Sequence, residues 1–407
     1  MNPSGAVETL IAPEAKSACL GRLALSQFRN FAELRCEFPP DGVAIIGPNG
    51  SGKTNLLEAI YYLEIFRSFR GSRDAELVRF GEDVFRLEAT IALGSDELQL
   101  AAAFQRRGSR KKVEVNGLAV GNMSEAIGRF GAVVFSLGDV EIVRSAPEFR
   151  RRFLDIALSL SAPGYLEALR RYRAVLAQRN EALRRLDATD VVDAWSERLI
   201  EAGSQIMAAR ERWVATWAEA FDGYYRTISG EGGSRMRYRP SIDAPARGTE
   251  GAEEAPEADH PLPPPARVAS WSERFAMELA ASAERERRRG LTVVGPHRDD
   301  LQLLSAPGEA DGHELRHFGS GGQQRTAAIA LRLVEADSLW ARQGREPLYL
   351  LDDVLAELDD DRSERVVELL EEGRSGQVIF TAPKRPDLPL RGGRMSEWSI
   401  RDGELNP

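Results

Sequence analysis

The run Gly47-Pro48-Asn49-Gly50-Ser51-Gly52-Lys53-Thr54 constrains this chain more than any other stretch. It meets the pattern G-x-x-x-x-G-K-[ST] in full. An apolar run of buried-strand type, Val43-Ala44-Ile45-Ile46, precedes it, and the helix-like Asn55-Leu56-Leu57-Glu58-Ala59-Ile60 follows. Strand, glycine-rich loop and helix are the context in which such a loop cradles phosphate. Glycines let backbone N–H groups converge on an anion without side-chain clash, and the helix start adds partial positive charge. The pattern predicts ATP as ligand, with Lys53 on the β and γ phosphates and Thr54 on Mg²⁺ through its hydroxyl. Residues 47–54 are thus the candidate nucleotide-binding set.

A phosphate loop needs a carboxylate at the end of a neighbouring strand. Leu348-Tyr349-Leu350-Leu351-Asp352-Asp353 supplies two. Asp352 is the candidate for the metal shell. Asp353, with Lys53, is the candidate catalytic residue, placed to polarise an attacking water. A second glycine-rich loop, Ser320-Gly321-Gly322-Gln323, stands at the start of a strong helical pattern. It is a further candidate phosphate contact.

The hydrophobic period divides the chain. Residues 20–46 and 85–135 alternate at period two and read as strands, with Asn116-Gly117 as a hairpin turn. From Pro147 the period becomes helical. Leu169, Leu176 and Leu183 lie on one seam; Trp195, Leu199, Ile206, Trp213, Trp217 and Phe221 form a second packing stripe. Two amphipathic helices with a break near Asp187–Asp190 predict an antiparallel hairpin. Residues 229–268 are rich in Gly, Pro, Ala and Glu, so Asp243–Arg267 is expected to be a poorly ordered insertion. A third helix is expected over Trp271–Arg289. Strands are expected at Met236–Arg239, Leu291–Val294, Leu348–Leu351 and Gln377–Phe380, followed by a polar tail. The expected organisation is a loosely ordered extension (1–19), a first ATPase-head segment (20–146), a helical arm (147–289) and a second head segment (290–407). The fold class is α/β, with a discontinuous head and an inserted helical subdomain.

Net charge is −9, so any nucleic-acid contact must come from local patches. Those patches are Arg67/Arg70/Arg73, Arg106/Arg107/Arg110/Lys111/Lys112, Arg150/Arg151/Arg152 and Arg170/Arg171/Arg173. Cys19 and Cys36 cannot build a disulfide framework, and no cysteine stands at metal-ligand spacing from a histidine. His297 reads as a hydrogen-bonded structural residue. No apolar run is long enough to span a bilayer and no secretion signal is visible, which predicts a cytoplasmic chain without a membrane partner.

The phosphate loop, the Ser320–Gln323 loop and the carboxylate strand, followed by Ala356-Glu357-Leu358-Asp359, resemble the ATP-binding-cassette superfamily: its phosphate loop, signature, metal-binding strand and D-loop in order. More specific stretches resemble the RecF family of bacterial recombinational-repair proteins. They are Leu25-Ser26-Gln27-Phe28-Arg29-Asn30-Phe31, Asn55–Ile60, Arg67-Ser68-Phe69-Arg70, Arg150-Arg151-Arg152-Phe153-Leu154-Asp155 and Val294-Gly295-Pro296-His297-Arg298-Asp299-Asp300-Leu301. The resemblance covers residues 20–228 and 270–382. It implies an SMC-like head with a helical second lobe. It also implies a homodimer formed on ATP, with Ser320 of one copy completing the other's site. The partners implied are DNA at single-strand/double-strand junctions of gaps, RecR and RecO. The role implied is support of recombinase loading and the SOS response, with weak, DNA-dependent ATP hydrolysis. An alternative within the same resemblance is a nucleotide-gated loading scaffold in which hydrolysis is incidental. The sequence departs from the superfamily near Thr381-Ala382, where no switch histidine stands, and in Asp353, which is shorter than the glutamate of transporters. Both departures fit slow turnover.

Overall fold

The computed structural model describes residues 17–230, 232–242, 263–306, 312–371, 376–384 and 395–407. The expected N-terminal extension, up to residue 16, and the core of the expected insertion, 243–262, lie outside the described residues.

The chain opens with β1 (Ala18–Phe28), β2 (Phe31–Glu37) and β3 (Gly42–Ile46). β1 begins inside the expected extension, because Ala18 is already buried in the core. The phosphate loop leads into α1 (Lys53–Ile65), then α2 (Asp74–Leu77). Four strands follow: β4 (Val84–Leu93), β5 (Asp96–Gln105), β6 (Arg110–Val115) and β7 (Leu118–Ala119). Asn116 and Gly117 both have positive φ (51° and 77°) in the two-residue turn joining the last pair, the geometry that Asn-Gly serves. β1, β2 and β4–β7 form one antiparallel sheet in the order β2-β1-β4-β5-β6-β7.

After β8 (Ala132–Ser136) come α3 (Val140–Arg144), α4 (Pro147–Ser161), α5 (Tyr165–Arg185) and α6 (Thr189–Ser229). Leu186 takes a left-handed cap conformation, φ 58°, and reverses the chain between the two long helices. β9 (Gly233–Arg239) and α7 (Pro265–Arg289) follow in the arm. α7 starts earlier than expected. Pro265 occupies its first position, where a missing N–H costs nothing, so Pro265–Arg267 belong to a helix rather than to the insertion.

The expected strand at Leu291–Val294 does not form. Thr292 instead donates from its N–H to Asn180 Oδ1 (2.7 Å), and the Val293 N–H donates to Glu286 Oε1 (2.8 Å). The strand comes later as β10 (Asp300–Ala306), antiparallel to β9. Leu301 and Leu303 join the arm's core with Trp271, Phe275 and Ile206, so the boundary expected at 289/290 falls inside this lobe.

The remaining elements are α8 (Leu315–Phe318), α9 (Gly321–Gln343), β11 (Leu348–Asp352), α10 (Asp360–Glu371) and β12 (Val378–Ala382). The expected polar tail contains β13 (Ser396–Arg401) and β14 (Glu404–Asn406). Trp398 and Ile400 alternate with exposed neighbours and are buried. The second large sheet runs β14-β13-β3-β12-β11-β8, parallel except at the β13–β14 edge. Its central strands are buried on both faces, as parallel sheets require. The phosphate loop leaves this sheet at the carboxyl end of β3, where ligand crevices of open α/β sheets lie.

Candidate nucleotide site and basic groove

The phosphate loop is shaped by close approaches on two sides. A Cβ on Gly47 would lie 2.3 Å from the Ile400 carbonyl oxygen. One on Gly52, at φ +115°, would lie 2.6 Å from Asn30 Nδ2. The same neighbours hold the loop. Asn30 Nδ2 and the Gly403 N–H both donate to the Ser51 carbonyl, at 3.2 and 3.0 Å. Asn55 donates to Asn30 Oδ1 (2.8 Å), and Arg70 donates to Asn55 Oδ1 (3.2 Å). Arg29 makes a fork to Glu58 (2.8 and 3.0 Å), whose carboxylate also accepts from Ser68. The stretches 25–31, 55–60 and 67–70 are therefore one hydrogen-bonded collar around the loop.

Lys53 folds back on the loop, donating to the carbonyls of Gly47 (2.7 Å) and Pro48 (3.3 Å), with Asp353 Oδ2 3.8 Å away. Thr54 Oγ1 donates to Asp352 Oδ1 (2.9 Å). Thr54, at the start of α1, and Asp352, at the end of β11, thus converge. Burial pushes the carboxyl of Asp352 above its ordinary range, offset by hydrogen bonds from Thr54 and Thr381. Burial also raises Asp353, with Lys53 opposing it. Asp353 has φ 53°, a left-handed conformation that costs a non-glycine residue on the order of 1 kcal/mol. Two buried polar atoms here have no hydrogen-bond partner among the described residues: Ser51 Oγ and Asp353 Oδ1. Orphaned buried polar atoms are rare. Their position, with the glycine cradle and an oxygen pair at Thr54 and Asp352, fits a nucleotide phosphate with an oxygen-loving cation.

One residue that the sequence marks only as the place where no switch histidine stands joins the site. Thr381, on β12, lies opposite Asp352 in the parallel register. Its hydroxyl lies 3.1 Å from Asp352 Oδ1 and 3.3 Å from the Leu351 carbonyl, and it accepts from the Asp353 N–H at 3.2 Å. The resemblance points to this position but not to its bonds with the two carboxylate residues.

Ser320, Gly321, Gly322 and Gln323 stand elsewhere. Ser320 caps α9: its side chain accepts from the Gln323 N–H (3.2 Å), and Gln323 Oε1 accepts from the Ser320 N–H (2.8 Å). Ser320 and Gly321 are exposed. No hydrogen bond among the described residues joins them to the phosphate loop. Arg325 pairs with Glu357 (2.5 Å), so the Ser320–Gln323 helix is tied to Ala356–Asp359.

His297 is held as the sequence predicts. Its Nδ1 lies 2.6 Å from Tyr172 Oη, and its Nε2 lies 3.2 Å from the Thr292 carbonyl. A carbonyl can only accept, so the Nε2 nitrogen carries the proton and Tyr172 donates to Nδ1. Burial lowers His297 to about 4. Beside it, Arg210 donates to Tyr165 (3.1 Å), the Pro296 carbonyl (2.7 Å), Asp155 (2.8 Å) and Asp299 (3.3 Å). Asp299 further accepts from Tyr238 and from the Ser241 N–H (2.7 Å).

The basic clusters are redistributed. Arg150 is buried and forks onto Asp300 (2.7 and 3.0 Å), so it is structural. The hairpin cluster is not one patch: Lys111 and Lys112 point to opposite faces of β6, as strand geometry demands. Lys112 pairs with Glu114 (2.5 Å), Arg106 donates to the Ala75 and Val78 carbonyls, and Arg171 pairs with Glu201 (3.4 Å). One side chain or more from each cluster nevertheless lines a single groove of about 770 Å³ between head and arm.

The family model for the RecF/RecN/SMC N terminal domain matches residues 19–389. A relative from Synechococcus sp., "DNA replication and repair protein RecF", is 37% identical over 398 residues, 95% of this chain and 97% of the relative. The protein of the same description from Lactobacillus delbrueckii subsp. bulgaricus is 36% identical over 368 residues, covering 89% and 90%. The chain belongs to the RecF family. A solved structure of the recombination mediator protein RecF with ATP, in the RecFOR pathway, superposes with a TM-score of 0.81 at 29% identity, covering 96% of this chain and 98% of that one. An Smc head domain from Pyrococcus furiosus shares the fold, with a TM-score of 0.52 at 17% identity. The discontinuous α/β head with an inserted helical lobe is thus the RecF and SMC-head architecture. Among the described residues, no helix of this RecF-family chain is long and apolar enough to cross a membrane.

Proposed function

We propose that this RecF-family chain is an ATP-switched DNA-binding protein of replication and repair. The observation that carries the reading is the convergence of Thr54 and Asp352 at 2.9 Å beneath a glycine cradle with two orphaned polar atoms. The ATP-bound relative of the same fold supports it.

Residues 47–54 hold the triphosphate, with Lys53 exchanging its present carbonyl partners for phosphate oxygens. Thr54 and Asp352 hold Mg²⁺, which neutralises charge on the phosphate oxygens when bound. Asp353 orients water against the γ-phosphate. Its raised proton affinity suits a group that must accept a proton. Ser320, exposed and separate from the loop of its own chain, serves the nucleotide of a second copy. The ATP-bound dimer engages DNA at single-strand/double-strand junctions of gaps, and RecR and RecO are its partners in loading a recombinase. The RecFOR assignment of the ATP-bound relative supports that last step.

Sedimentation with and without ATP tests the reading. Wild type is expected to dimerise with ATP. Lys53→Ala is expected to lose ATP affinity by ~10- to 100-fold, from the ~1.5–3 kcal/mol of a charged hydrogen bond, and to stay monomeric. Ser320→Ala is expected to bind ATP normally and not dimerise. Asp353→Asn is expected to bind and dimerise but turn over slowly. Unchanged ATP affinity in Lys53→Ala removes the site assignment. An ATP-induced dimer in Ser320→Ala removes the shared site, and normal turnover in Asp353→Asn removes its role.

A further inference from the structure

Clusters dispersed over more than a hundred residues of sequence meet in the groove between head and arm. Arg67, Arg73 and Lys111 line the head side; Arg152, Arg170 and Arg173 line the arm side. Two carboxylates oppose these six cations: Asp74, paired with Lys111 (2.6 Å), and Asp155, paired with Arg173 (2.8 Å). The excess is positive in a protein whose net charge is −9. Arg67 is exposed and has no carboxylate partner among the described residues. Arg170 is held only by neutral groups, donating to Asn122 Oδ1 (2.6 Å) and Ser124 Oγ (3.4 Å). Arg152 is anchored by the Ser68 and Phe69 carbonyls, at 3.1 and 3.3 Å, so its charge is uncompensated and its position fixed. Between the basic walls lie aliphatic side chains, among them Ile127, Ile156 and Leu166.

Cations facing one another across a cleft match a polyanion lying along it. The aliphatic strip adds a requirement, because the occupant must offer apolar surface together with phosphate. A duplex hides its bases in the stack and presents phosphate outward. A single strand offers phosphate and unstacked base together. From this pairing we infer that the head–arm groove binds the backbone of a single-stranded DNA segment, with Arg67 and Arg170 as opposed phosphate contacts. The inference rests on the DNA-binding reading above and locates one strand of the junction. The low position of the groove's aromatic content, with only buried Phe66 among its lining, predicts sequence-tolerant binding without strong base stacking.

The test is fluorescence anisotropy of the full chain with ATP, using a labelled oligo-dT strand and a blunt duplex of equal length, from 50 to 300 mM salt. Each phosphate contact contributes about 0.7 to the log–log salt slope for a single strand. The double variant Arg67→Ala/Arg170→Ala is expected to bind the single strand about 10-fold more weakly, with the slope shallower by about 1.4. Duplex affinity and ATP affinity are expected to be unchanged. Arg67→Lys/Arg170→Lys, which keeps both charges, is expected to bind like wild type. Unchanged single-strand affinity and slope in the alanine variant would overturn the inference. So would an equal loss for the duplex, or a loss in the lysine variant as large as in the alanine one. If wild type binds neither DNA, the DNA-binding reading itself fails; wild-type binding with an unaffected alanine variant removes the groove alone.

Discussion

Thr381 shows how much one hydroxyl can hold. It bonds the Asp352 carboxylate and the backbone N–H that begins the left-handed Asp353. Thr381→Val keeps shape and removes both bonds. The Asp353 N–H is then left without its acceptor and Asp352 keeps only its bond from Thr54 (2.9 Å), which costs about 1–3 kcal/mol. The expected outcome is a lower melting temperature together with a fall in ATP turnover larger than the fall in ATP affinity; equal falls in both would make Thr381 merely structural. His297 makes a second prediction at this scale. Its folded value, about 4, lies below the unfolded ~6.5. The unfolded chain therefore takes up a proton first as pH falls, so stability is lost between about pH 6.5 and 4 and not further below. The difference amounts to about 3 kcal/mol. His297→Gln is expected to lose this slope in the pH dependence of denaturant unfolding, and an identical profile in both proteins would show that the imidazole does not titrate there. The glycine-rich turn between β3 and α1 was legible, because a short pattern encodes its backbone geometry. The bonds of Thr381 to Asp352 and Asp353 were not, because they come from a register between β11 and β12 that no local pattern carries.

The elements of the arm are joined by buried charge as well as by apolar contact. Arg210 of α6 reaches Asp155 of α4, Tyr165 of α5 and the Pro296–Asp299 loop. Arg179 of α5 does the same for Glu286 of α7 (2.7 Å) and Thr292 (2.7 Å). A packed apolar contact tolerates sliding, whereas a four-way guanidinium fixes angle and depth together. Arg210→Met is expected to leave Asp299 buried without its cation and Asp155 with Arg173 as its remaining cation, and to cost about 3–5 kcal/mol in chemical unfolding. A cost under ~1 kcal/mol would show that the tyrosines satisfy the carboxylates alone. These networks also explain the misread strand at Leu291–Val294. Its apolar run is genuine, but Glu286 and Asn180 take its N–H groups, a competition invisible to periodicity. The helix pattern was readable because its period persists over many turns. β13 was missed although Trp398 and Ile400 alternate, because five residues of alternation carry little signal beside a polar surround.

At the scale of the molecule, the phosphate loop is held by both ends of the chain. β3 is flanked in parallel by β12 and by β13, and the Gly403 N–H closes onto Ser51 (3.0 Å). A chain ending at Met395 loses the strand that covers β3 and the donor that holds the loop. It is expected to lose ATP binding in equilibrium titration even where its arm stays helical by circular dichroism; retained affinity would show that β12 alone shapes the loop. The convergence of separate basic clusters on one groove belongs to this scale too, since only the docking of arm on head brings Arg67 and Arg170 to the same cleft.

The closure of Gly403 onto Ser51 has a consequence for how the protein is made. Synthesis runs from the amino end, at roughly 5–20 residues per second. Residues 47–54 therefore emerge well before residues 396–406 that complete them. For that interval the nascent head has an uncovered edge on β3, a surface prone to wrong pairing. The antiparallel sheet and the arm can form before residues 396–406 emerge, but the phosphate loop waits for them. A cell making this protein would thus hold a folded arm before it holds a closed phosphate loop.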